Sequence, residues 1–131
     1  MEGAALGNTI ACDRFTTKTE KDKTMSAQNL TDGTFAAEVL QSEVPVLVDF
    51  WAPWCGPCRI MSLIVDEVSA ELGDRARVVK VNIDEARATA VRYGITSIPS
   101  FAVIRGGEVQ QRFSGVVPKH RLLGALDPHL G

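Results

Sequence analysis

The spacing of apolar positions changes segment by segment along the chain, and each change marks an element. Val44 to Trp51 is a nearly unbroken β-branched and aromatic run, the pattern of a parallel strand covered on both faces. Ahead of it Thr31 and Asp32 signal a helix start, and Phe35, Ala36, Val39 and Leu40 line one stripe of a short amphipathic helix. Beyond it Met61, Ile64, Val68 and Leu72 recur every three to four residues in a helix that Gly73 closes. Val78 to Ile83 alternates as a strand, and Asp84 to Tyr93 reads as a helix ended by Gly94. Ile98-Pro99 precedes a strand at Phe101 to Ile104, and Gly106-Gly107 turns the chain back into Val109 to Phe113. A last helix runs from about Pro118 to Leu126, where Pro128 discourages continuation. Such alternation predicts an α/β domain: a central mixed sheet, parallel in its first half and antiparallel at the final hairpin, with helices on both faces.

Residues 1–25 lack that periodicity and cannot bury enough surface to offset the entropy of ordering them, so they read as a flexible N-terminal extension to a domain over 26–131. They carry neither a basic n-region nor an apolar h-region, and Ile10-Ala11-Cys12 lacks the flanks of a lipoprotein cleavage site. Four acidic residues (Glu2, Asp13, Glu20, Asp22) against four basic ones also argue against a transit peptide. Met25 is a possible alternative start. The 131 residues leave room for one core. Sixteen acidic and 14 basic side chains are interspersed, with a net charge of -2, which provides no footprint for nucleic acid or an anionic membrane. No apolar stretch is long enough to span a bilayer. Three cysteines are too few for a disulfide scaffold and point to a reducing compartment, the cytoplasm.

Two of those cysteines stand in Trp54-Cys55-Gly56-Pro57-Cys58, where a strand ends and a helix begins. With Cys55 at the N-cap, free backbone N–H groups and the positive end of the helix dipole favour its thiolate, the nucleophile of disulfide exchange. Cys58, three residues on, is placed to resolve a mixed disulfide. Pro57 is tolerated because first-turn N–H groups have no intrahelical partner. A zinc site would need two more ligands from Cys12, His120 and His129, which are not paired in sequence. A structural disulfide closing so short a loop would remove little unfolded-state entropy. Redox chemistry is the better account.

The motifs VLVDFWAPWCGPCRIM, KVNID, YGITSIPS, GGEV and SGVV, in that order from about Ala27 to the C-terminus, resemble the thioredoxin family. The resemblance implies the thioredoxin fold and a protein-disulfide reductase with a redox-active Cys55–Cys58 pair, working without a cofactor or metal on disulfide-containing proteins. It also implies a thioredoxin reductase as partner and a monomeric state. Residue by residue it implies that Asp49 is a buried acid beneath the cysteines and Lys80 its neighbour, the two together moving the Cys58 proton. By sequence alone Asp49 also reads as a strand-end carboxylate facing solvent. Pro99 matches the family's cis-proline, though the sequence by itself shows only a strand-start proline. Trp54, Gly56, Pro57, Ile98, Gly115 and Val116 match an apolar docking rim. Two positions depart from the pattern: Leu63 stands where the active-site helix usually has a kinking proline, and Ser114 where the rim is usually apolar. Two rival readings are a thioredoxin-fold scaffold subunit without turnover and a metal-linked redox sensor.

Overall fold

Alternation along the central strand sends Val46, Val48 and Phe50 to one side of a sheet and Leu47 and Asp49 to the other. A computed structural model describes residues 27–130. The 1–25 extension and Cys12 lie outside the described residues. The elements are β1 (Gln28–Leu30), α1 (Asp32–Phe35, continued by a π-helical turn Ala36–Leu40), β2 (Val46–Trp51) and α2 (Gly56–Leu72). There follow β3 (Arg77–Asn82), α3 (Arg87–Arg92), β4 (Ser100–Arg105), β5 (Glu108–Ser114) and α4 (Lys119–Leu126).

The sheet order is β1-β3-β2-β4-β5. Strands β1 and β2 pair parallel with β3, whereas β4 runs antiparallel to both β2 and β5. This is the thioredoxin fold that the alternation and the motifs predict, with the change of direction one strand earlier than the hairpin. Two cores follow from the alternation. Leu47, Phe101 and Val103 pack with Met61, Val65 and Val68 of α2 and Leu122 of α4 on one face. Val46, Val48 and Phe50 pack with Phe35 and Val39 beneath α1, and with Ala86 before α3, on the other. Full burial of a side chain such as Phe50 contributes roughly 2–3 kcal/mol. Its ring and that of Phe35 lie 6.1 and 5.5 Å from the Tyr93 ring, which anchors the end of α3 to the core.

Three local features differ from the pattern-based expectation, each for a physical reason. Strand β1 is too short and polar to show a period; backbone pairing with β3, Gln28 beside Val79 and Leu30 beside Val81, makes it a strand. Helix α3 starts at Arg87 rather than Asp84, because Asn82 Oδ1 accepts the Asp84 N–H at 2.9 Å and the Asn82 carbonyl accepts those of Glu85 and Ala86. Asp32, read as part of a start signal for its own helix, also serves another. Its carboxylate accepts from Thr89 Oγ1 (2.7 Å), Thr89 N (2.9 Å) and Ala88 N (3.3 Å), capping α3 from a distance. Those bonds, the Thr89 hydroxyl first, hold the Asp32 carboxyl below its ordinary value. Without a proline at Leu63, α2 runs uninterrupted for 17 residues.

Candidate active site

Strand β2 delivers the chain to the site. After Trp51 a turn closes with the Cys55 N–H on the Ala52 carbonyl at 3.1 Å, and α2 begins at Gly56. Cys55 is the N-cap, in extended backbone, and its Sγ accepts the Cys58 N–H at 3.2 Å. A sulfur therefore occupies the place where a capping oxygen usually satisfies the third N–H of a helix. The same N–H and the helix dipole stabilise negative charge on that sulfur once the bond is reduced. Cys55 and Cys58 form a disulfide with Cα atoms 5.3 Å apart. Cys55 is 5% and Cys58 2% exposed, so both are largely buried in the disulfide and Cys55 is the more accessible of the two. After reduction, iodoacetamide at neutral pH should label Cys55 before Cys58, by mass mapping; labelling in the reverse order would refute Cys55 as the thiolate.

The rim is assembled by pairing across the sheet. Phe50 of β2 lies beside Ser100 of β4, and Ser100 beside Ser114 of β5, so three loops leave the same edge. The Ile98–Pro99 peptide is cis, and the Pro99 carbonyl accepts the Gly115 N–H at 2.8 Å. Gly115 has φ +85°, a conformation that favours glycine. Trp54 and Val116 are 67% and 56% exposed, Gly56 and Pro57 are also exposed, Ile98 and Gly115 are half-buried, and Pro99 is buried. Trp54 is held by its Nε1–H donating to Asp84 Oδ2 at 3.1 Å, a partner the sequence pattern did not single out. Ser114 is exposed, its Oγ 3.4 Å from that of Ser100, and adds a polar edge to the rim.

Asp49 is 1% exposed, and neither carboxylate oxygen has a hydrogen-bond partner. The reading of Asp49 as a strand-end carboxylate in solvent is thereby set aside. Burial pushes its carboxyl up to about 7; the Lys80 ammonium offsets this in part and the Asp66 charge adds to it. Lys80 is its lateral neighbour on β3, and parallel pairing puts the two side chains on one face. The ammonium is nevertheless committed elsewhere. Lys80 Nζ donates to Ser62 Oγ at 2.6 Å and pairs with Asp66 Oδ1 at 3.0 Å. These α2 residues were missed, yet Cys58, Ser62 and Asp66 follow at intervals of four and share one helix face. A cavity of about 280 Å³ opens there, lined by Cys58, Arg59, Ser62, Lys80, Asn29 and Trp51 among others.

Among the described residues no three His, Cys, Asp or Glu side chains converge as a metal site requires, and no helix is long and apolar enough to cross a membrane. The Thioredoxin family model matches residues 26–127. Thioredoxin 1 of Synechococcus elongatus is 50% identical over 104 residues, covering 79% of this chain and 97% of its own. The M-type chloroplastic thioredoxin of Chlamydomonas reinhardtii is 48% identical over 99 residues, 76% of this chain and 71% of its own. A chloroplastic thioredoxin of Arabidopsis thaliana is 42% identical over 129 residues, 96% of this chain and 64% of its own, an alignment that reaches into the first 26 residues. With the cysteine pair capping α2, a cis-proline in the loop that enters β4 at the same sheet edge and a buried acid on the strand before the pair, the chain belongs to the thioredoxin family.

Proposed function

We propose that Cys55 attacks and Cys58 resolves in the reduction of protein disulfides, with Asp49 as the proton acceptor. The observation that carries this reading is the Cys58 N–H on the Cys55 sulfur at the helix N-terminus. In the reduced protein the Cys55 thiolate attacks one sulfur of a substrate disulfide, breaking that bond, forming a Cys55–substrate disulfide and releasing a thiolate that takes up a proton. Asp49 accepts the Cys58 thiol proton, and the Cys58 thiolate attacks the Cys55 sulfur. That closes the Cys55–Cys58 disulfide and expels the second substrate sulfur as a thiolate, which takes up the proton that Asp49 gives back, so two electrons have passed from the dithiol to the substrate. Trp54, Gly56, Pro57, Ile98, Gly115 and Val116 form the surface on which the substrate segment lies, with Pro99 beneath it.

As a thiol-disulfide oxidoreductase the chain acts on disulfide substrates, and members of its family are returned to the dithiol by a thioredoxin reductase. One chain carries both cysteines, the acid and the rim, which supports a monomer as the working unit. Insulin reduction, followed by turbidity with a thioredoxin reductase and NADPH, tests the function: sustained turnover is expected. A protein that binds substrates equally well as Cys55→Ser/Cys58→Ser and shows no turnover would instead be the scaffold of the rival reading.

The cytoplasm, as a reducing compartment, is the proposed location. A second reading, a plastid, is favoured by the Arabidopsis thaliana alignment, which extends into residues 1–26. A fluorescent reporter fused behind residues 1–26 in a plant cell decides between them: diffuse cytoplasmic signal is expected, and plastid import would replace the proposal with the second reading.

A further inference from the structure

The Lys80 ammonium has a choice of acceptors, and its position bears on the proton acceptor below the cysteines. Asp49 is its lateral neighbour in the sheet and has two unpaired, buried oxygens. Yet the ammonium lies on α2, 2.6 Å from Ser62 Oγ and 3.0 Å from Asp66 Oδ1. Asp66 is itself held in place, since Oδ1 also accepts the Ala27 N–H at 3.2 Å. We propose that Ser62 is a positioning residue: its hydroxyl, with the Asp66 carboxylate, holds the Lys80 ammonium on α2 and keeps it from closing an ion pair on Asp49.

The physical reason is competition for one flexible cation. A lysine carries a point charge with three donors on a four-carbon stem, so its location is set by which acceptors are nearby and already desolvated. The ammonium is largely withdrawn from water and lines the cavity shared with Cys58. If it reached Asp49 the carboxylate would be stabilised as an anion and would be a weaker acceptor for the Cys58 proton. On that side of the sheet the charges that act on Asp49 are those of Lys80 from β3 and Asp66 from α2, while Cys58 and the exposed Arg59 of α2 line, with Lys80, the adjoining cavity. Strands β2 and β4 bring Leu47 and Phe101, and α4 brings Leu122, all apolar.

The inference builds on the proposed role of Asp49, and two separate readouts distinguish them. In the oxidised protein neither cysteine titrates, so the Asp49 carboxyl midpoint can be followed by 13C NMR in wild type, Ser62→Ala and Ser62→Thr. Alanine suits a helix, so the variant should fold. Ser62→Ala is expected to lower the Asp49 midpoint by about half a pH unit or more, as an approaching cation does, and Ser62→Thr, which keeps the hydroxyl, to leave it in place. An unchanged midpoint in Ser62→Ala, or an equal fall in both variants, would overturn the role of Ser62. Insulin turnover against pH in the reduced proteins reports on Asp49 instead. A lowered midpoint with an unmoved rate profile supports the placement of Lys80 by Ser62 and removes Asp49 as the base.

Discussion

Cys58→Ser should accumulate as a stable mixed disulfide with its substrates, whereas Cys55→Ser should form none. Attack needs only the Cys55 thiolate, which in Cys58→Ser keeps its place at the N-cap of α2, with the backbone N–H of residue 58 still facing the sulfur. Release needs a second thiolate three residues along, and a serine hydroxyl cannot supply one at neutral pH. Both variants should lose turnover on the order of a thousandfold or more, the scale for removal of an essential nucleophile. Only one should trap. Non-reducing electrophoresis of a disulfide-rich extract, with mass spectrometry of the bonded cysteine, checks both statements. Trapping through Cys58 in Cys55→Ser would exchange the two roles and contradict the reading of the helix N-terminus.

Replacing Asp49 by Asn should slow turnover by about 10–100-fold, within or below the usual range for loss of a proton-transfer group, while making the fold more stable. The two effects come from one cause. A carboxyl whose value rises from 3.8 to about 7 on folding is carried by the native state at a cost of roughly 4 kcal/mol when ionised, the free-energy equivalent of that gap. The native state binds the proton more tightly than the unfolded chain, so the cost is absent below pH 4, sets in as pH rises, and is complete above about 7. The advantage of Asp49→Asn over wild type should therefore be nil at low pH and largest in mild alkali. Denaturant melts across that range, paired with rapid-mixing kinetics of mixed-disulfide resolution, measure both. Equal stability at every pH would mean the native carboxyl is not shifted, and an undiminished rate would make Asp49 a bystander. A less stable variant would mean the carboxylate makes structural bonds that the unpaired oxygens do not show.

What could be read along the chain was whatever repeats within a few residues. The apolar spacing located α2, β2, β3, β4 and α4, because a helix or strand puts every fourth or every second residue on one face, and that face must be covered, while the Gly106-Gly107 turn located β5. The cysteine pair was legible for the same reason: a strand end, a short turn and a helix start are local, and together they determine where Cys55 sits. Strand β1 was not legible, since three residues hold no period and only the open edge of β3 makes them a strand. Asp32 offered one local reading and took a second role 57 residues away at Thr89. The same limit applies at the site. Residue order placed an acid in an apolar strand and a lysine in the next, but whether the acid is buried depends on α2 lying across it. Where the ammonium settles depends on Ser62 and Asp66, 18 and 14 positions before it in the chain. Periodicity is a property of neighbours along the backbone and survives in a bare sequence; desolvation and the choice of an ion's partner are properties of neighbours in space, and only the packing of α2 on the sheet decided them.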